Sequence, residues 1–167
     1  MGEASLSRWR RQGGTPFVRV AVVSDDLSNA ASEHFRRAVA FSTDSGSAPG
    51  ELVRASRADD FAYEDRRRGP SFPPLDAESF PRFVETIWET GAGQPRFELE
   101  ILAVRGERYV AGMVRLDFGN GWLRECIHVM ALDVTLRLVQ RVVDFDLDDV
   151  DGAMAELDRM HSRADAS

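Results

Sequence analysis

From residue 96 to residue 146 apolar side chains recur at every second position, whereas before that stretch they recur every three to four, and this change of period divides the chain. The later half reads as four long strands, near 96–105, 107–117, 121–133 and 136–146, with Arg105-Gly106 and Gly119-Asn120-Gly121 as two of the turns. A sheet of such hairpins has an apolar side that must be covered, and the earlier half supplies the cover. Its clearest helix carries Phe80, Phe83, Val84, Ile87 and Trp88 at i, i+3, i+4, i+7 and i+8, with Pro81 in the first turn and Gly91 placed to end it. Ser79 is the expected N-cap, and Asp76 could begin a looser turn before it.

Upstream, Asp25–Ser28 offers caps for a helix whose Ala31, Phe35, Ala38 and Val39 share a face. A loop over 43–50 and a short helix, Glu51–Ala58, follow. Asp59–Arg66 then reads as a strand with Phe61, Tyr63 and Asp65 on one side. The chain closes on an acidic cap, Asp148-Asp149, and a helix with Val150, Ala153, Met154 and Leu157 on one stripe. Phe17–Val23 is strand-like, and 1–15 and 162–167 are expected to be loose ends around one domain at 16–161. The fold class is α+β, a curved antiparallel sheet wrapped around N-terminal helices that gather on one face, with a C-terminal helix. The concave space between sheet and helices is the expected site of a small apolar or aromatic ligand.

Composition removes several chemistries. All 21 basic residues are arginine, so there is no Schiff-base lysine, no lysine base and no lysine of a phosphate loop. Arginine without lysine, beside abundant Ala, Asp, Gly and Val, reads as GC-rich coding in a bacterium. A net charge of −7 argues against a nucleic-acid partner. The single cysteine, Cys126, forms no internal disulfide, and no apolar run has the length of a membrane span, so a cytoplasmic setting without a membrane partner is expected. The three histidines form no HxH or HExxH pattern, and Asp144, Asp146, Asp148, Asp149 and Asp151 lack the Gly and Glu of a calcium loop, so neither metal nor cofactor is expected. The acidic cluster reads instead as favourable charge at a helix N-terminus.

The order of elements, the stretch Arg57-Ala58-Asp59-Asp60-Phe61-Ala62-Tyr63-Glu64-Asp65 and the ending Leu138-Val139-Gln140-Arg141-Val142-Val143-Asp144-Phe145-Asp146 resemble the SnoaL-like branch of the nuclear transport factor 2-like superfamily, over residues 28–160. The resemblance implies a cystatin-like cone. Its catalytic members include ketosteroid isomerases, polyketide cyclases, scytalone dehydratase and limonene epoxide hydrolase, and others are binding or dimerisation modules. The acidic run after Phe145 and the helix behind it also resemble modules attached to bacterial multidomain regulators.

By this resemblance Asp65 stands where ketosteroid isomerases carry the general base, at the end of an Ala-Asp-Asp-x-x-x-Glu-Asp segment. Beside Phe61 and Tyr63 its pKa would rise by desolvation. Alternatively it pairs with Arg66, Arg67 or Arg68, or caps the loop that follows. His128, alternating with Trp122, Arg124, Cys126 and Met130, is placed like the isomerase's oxyanion-hole acid and could donate to a carbonyl oxygen or act as an acid; the alternative is a buried histidine bonded to backbone. The isomerase's first-helix tyrosine is missing, since that helix offers His34, Phe35 and Phe41. An epoxide-hydrolase arrangement would use Asp65, Arg115 or Arg124, and Asp144.

Phe83, Ile87 and Trp88 on the helix and Tyr63, Trp122, Cys126 and Met130 on the sheet are the expected ligand-binding residues, although such apolar stripes also serve as core. Cys126 reads as a small buried thiol. Arg66-Arg67-Arg68 could hold an anion or simply be a solvated loop. Two functions follow. The first is a regulatory or dimerisation module that binds a small molecule in an apolar pocket and pairs through its sheet face as a homodimer. The second is a cofactor-independent acid/base enzyme, an isomerase, polyketide cyclase or dehydratase, with Asp65 as base and His128 as acid.

Overall fold

The computed structural model describes residues 27–44, 49–69, 71–90, 96–118 and 121–164. The expected 1–15 segment, the 17–23 run, Gly91, the Gly119-Asn120 turn and residues 165–167 lie outside the described residues. In chain order the elements are α1 (Ala30–Asp44), α2 (Pro49–Ala55), β1 (Arg57–Asp65), β2 (Leu75–Asp76), α3 (Ser79–Thr90), β3 (Arg96–Arg105), β4 (Tyr109–Asp117), β5 (Leu123–Leu132), β6 (Val139–Phe145) and α4 (Val150–Ala164). None of these helices is long and apolar enough to cross a membrane.

The strands form one sheet in the order β2-β1-β6-β5-β4-β3, antiparallel throughout except for the parallel pair β1 and β6. Register shifts that leave extra residues in β1, β3 and β6 bend it into a trough. Two boundaries differ from the expectation. Arg57 and Ala58 begin β1 rather than end a helix, because Arg57 pairs with Val139 and the Val139 amide donates to the Ser56 carbonyl at 2.9 Å. β2 is two residues long, too short to show any period, and docks on Ala62 and Tyr63.

Alternation sorts the sheet into two faces. Phe61, Tyr63, Val110, Val114, Cys126, Met130 and Val142 point into the trough, where Ala31 and Phe35 of α1 and Phe80 of α3 complete a buried cluster. Ala111, Met113, Ile127, Val129, Val143 and Phe145 point the other way and meet Ala153, Leu157 and Met160 of α4. The N-terminal helices therefore gather on one face, and the C-terminal helix α4 covers the other. The reason is visible in β4, where Val110-Ala111-Gly112-Met113-Val114 is buried at every position, as only a strand covered on both sides can be. The outer face that was expected to dimerise carries α4 across its central strands.

The helices are seated by reciprocal caps. Asn29 accepts from the Ser32 amide (2.7 Å) while Ser32 Oγ accepts from the Asn29 amide (2.9 Å), and the Asn29 amide group also donates to the carbonyls of Gly106 and Tyr109. That ties the start of α1 to the β3–β4 turn, where Gly106 has φ +48°. Asp76, not Ser79, caps α3: its carboxylate accepts from the Ser79 amide (2.8 Å), and Ser79 Oγ in turn accepts from the Asp76 amide (3.0 Å).

Candidate active site

Register places the polar residues of the trough in one row. Asp65 on β1 pairs with Asp144 on β6, Asp144 pairs with His128 on β5, and His128 pairs with Gly112 on β4. Gly112 has no side chain because none fits: a Cβ would lie 2.9 Å from Leu99, 3.2 Å from the Glu100 carbonyl and 3.3 Å from Phe35. The Phe35 ring uses that space and lies 5.2 Å from the His128 ring.

Asp144 is the centre of the row and is 1% exposed. Nδ1 of His128 lies 2.6 Å from its Oδ1. A proton on Nδ1 would relieve so close an approach of two acceptors, although the angle between ring and carboxylate is not that of a hydrogen bond. On the other oxygen, Tyr63 donates at 2.9 Å and Arg124 forms an ion pair, and Arg124 also donates to the Tyr63 hydroxyl at 2.7 Å. Burial pulls the Asp144 carboxyl upward, yet His128 and Arg124 together hold it well below the usual carboxylate range. Burial, and then the Asp144 charge, push the Tyr63 hydroxyl and the Cys126 thiol up. Burial opposes the charge on Arg124, but Asp144 more than offsets it and keeps the guanidinium charged.

His128 is the opening of this cluster. Its side chain is 19% exposed, and Nε2 has no hydrogen-bond partner among the described residues. An imidazole with its proton on Nδ1, the nitrogen beside the carboxylate, presents a lone pair at Nε2. Neither the expected backbone partner nor a solvent-facing ring is found.

Asp65 has a different setting from the one expected of a base. Arg67 donates to both of its oxygens, at 2.9 and 2.8 Å, and the amides of Arg67 and Phe72 add bonds of 3.2 Å each. Burial alone would raise its pKa, but these donors win and lower it. It pairs with its own loop and caps it, which corrects the expectation of a raised pKa. The neighbouring arginines are likewise spoken for: Arg66 by Glu64 and Glu156, and Arg68 by Asp146 and Asp148. Of the two arginines weighed for an epoxide-hydrolase trio, Arg124 reaches Asp144, while Arg115 pairs across strands with Glu98 and Glu125 on the opposite face.

The apolar residues divide in two. Tyr63, Phe83 and Met130 lie in the trough core with Phe80 and Phe72, ring to ring at 4.4–6.3 Å. Trp88 meets Phe118 edge-on at 6.0 Å, and Phe118 stacks on Trp122 at 4.8 Å. Trp122 precedes β5 rather than alternating within it and is 39% exposed. Ile87 is half-buried on α3. Cys126 is buried beside the dyad, and its Sγ, a His128 ring nitrogen and an Asp144 oxygen lie within 4.8 Å of one another. That set resembles a metal triad, but a divalent cation there would meet the Arg124 guanidinium, which already takes the Asp144 carboxylate. The acidic cluster is split among tasks: Asp149 accepts from the Gly152 amide at the start of α4, Asp146 and Asp148 hold Arg68, and Asp144 turns inward.

No family model and no curated protein matches the chain. Solved structures do. A protein of unknown function with a cystatin-like fold from Methylobium petroleophilum PM1 is 15% identical over 71% of this chain and 77% of its own, with a TM-score of 0.54. BvnE pinacolase from Penicillium brevicompactum is 16% identical over 83% of this chain and 96% of its own, with a TM-score of 0.52. Rv0760c from Mycobacterium tuberculosis, in complex with estradiol-17β-hemisuccinate, is 13% identical over 72% of this chain and 97% of its own, with a TM-score of 0.50. At such identities the likeness is one of fold alone, and that fold is cystatin-like.

Proposed function

We propose that the trough binds a small, largely apolar or aromatic molecule and that His128, oriented by Asp144, moves a proton on it without a cofactor. The observation that carries this reading is the 2.6 Å approach of Nδ1 to a buried carboxylate while Nε2 is left without a partner among the described residues. In the neutral ring Nε2 is a base that can take a proton from a carbon or from water, and as imidazolium it can return that proton to a carbonyl or hydroxyl oxygen. This is the chemistry of isomerisation, cyclisation or dehydration. Asp65 does not serve as the base here; it holds Arg67, and Asp144 takes the place in the dyad. The estradiol-17β-hemisuccinate bound by Rv0760c supports a ligand of this kind. The reading keeps the protein in a bacterial cytoplasm with no nucleic-acid or membrane partner. Where it forms a homodimer, a surface other than the strands under α4 is used.

A thermal-shift screen of aromatic and polyketide-like compounds identifies binders, because a ligand of the folded state raises the apparent melting temperature. Each binder is then incubated with the protein and with His128→Gln, and products are read by mass spectrometry. Turnover by the native protein that falls about a hundred-fold or more in His128→Gln, with binding retained, is expected. Binding without any product would instead establish the ligand-binding module, a reading favoured by the internal pairing of Tyr63, Asp144 and Arg124.

A further inference from the structure

At the opposite end of β1 from the dyad, Arg57 has a property that no other arginine paired above shares. Its Nη1 donates to Ser56 Oγ at 3.0 Å, and no other hydrogen bond or ion pair engages it among the described residues. Nε is buried and has no acceptor. The guanidinium lies over two rings, with Cζ 5.0 Å from the centroid of Phe61 and 5.4 Å from that of Phe80. Those faces ease the burial of the charge but supply no acceptor in the guanidinium plane. What is left without an acceptor is the edge formed by Nε–H and the adjacent Nη2–H, the fork that a two-oxygen anion fills with parallel bonds.

The surroundings are positive rather than negative. Burial pushes the Arg57 guanidinium down to about 10, with no carboxylate opposing the shift. His34 on α1 is depressed by burial and by Arg57 and Arg37, with Asp133 acting the other way. Asp133 is itself taken up by the Thr135 hydroxyl and the amides of Arg137 and Leu138. A buried cation with an unused fork, among apolar rings, is costly unless an anion completes it.

We propose that Arg57 is a carboxylate-binding site, in which the Nε–Nη2 edge, the part of the guanidinium without an acceptor, takes the carboxylate of a small organic acid. The site is separate from the dyad, since Arg57 opens β1 and Asp65 ends it, and it stands whether or not His128 turns a ligand over.

Sodium benzoate is the probe, with neutral benzamide as its control. Binding to the full chain is measured by calorimetry, and the Arg57 Nε–H resonance is followed by NMR during the same titration. Benzoate is expected to bind the native protein and shift that resonance, benzamide to do neither, and Arg57→Gln to bind benzoate about ten-fold or more weakly. Arg57→Gln removes a cation without a counter-ion, so it should fold, and the NMR arm on the native protein needs no variant. The proposal is overturned if benzoate leaves the Arg57 resonance unmoved, if benzamide binds equally well, or if Arg57→Gln binds benzoate as tightly as the native chain.

Discussion

Asp144 stays ionised among apolar neighbours because Arg124, His128 and the Tyr63 hydroxyl all reach it. Removing the charge while keeping the shape tests how tightly the set is coupled. Asp144→Asn leaves Arg124 buried without its anion and should cost about 3 kcal/mol or more in denaturant unfolding. The pH dependence has a definite sign. A carboxyl depressed in the folded state contributes its stability fully above its unfolded value of about 4, and that contribution is lost as pH falls toward the folded value. Native protein should therefore lose stability progressively below about pH 4, and Asp144→Asn should show a shallower acid limb over the same range. An unchanged acid limb would mean that Asp144 is not held as an anion. Cys126, by contrast, is enclosed with its thiol pKa pushed up, and nothing in its setting makes it a nucleophile.

Among the elements, α4 departs most from a simple helix-filled trough. Its stripe of Ala153, Leu157 and Met160 closes the outer face, and Glu156 adds ion pairs to Arg66 and Arg159 at its side. Leu157 is fully buried, so Leu157→Ala should destabilise the whole fold by about 2–5 kcal/mol in a single unfolding transition. A separate early transition, or a loss below about 1 kcal/mol, would mean that α4 is an appendage on a sheet stable without it. The apolar stripe of this helix was legible in the chain, as were α3 and the four long strands. Which face it covers was not, although β4 held the clue in five consecutive buried positions where a half-solvated strand alternates. β2 and the Asp76 cap escaped because two residues carry no period and because a cap is decided by a reciprocal bond, not by residue type alone.

For the whole molecule, the curved sheet brings together residues that lie far apart in the chain. Asp65 and His128 could be singled out from their strand positions. Asp144 was visible as one acid among five and as a member of an epoxide-hydrolase trio that no spacing fixes, although its inward parity with Val142 in Val142-Val143-Asp144-Phe145 is the signal that separates it from the rest. No single-chain pattern says that β1 and β6 run side by side in parallel, and it is this pairing that sets Tyr63 and Asp144 within hydrogen-bond reach. The central claim is that Asp144 fixes the His128 ring with Nε2 turned to a ligand. Long-range proton–nitrogen NMR of the histidines tests it most directly, since there are only three and His128→Gln assigns the one that matters. The neutral ring should carry its proton on Nδ1, and saturation with a thermal-shift binder should move the Nε2 resonance. A proton on Nε2, or an Nε2 resonance indifferent to the bound molecule, would contradict the account.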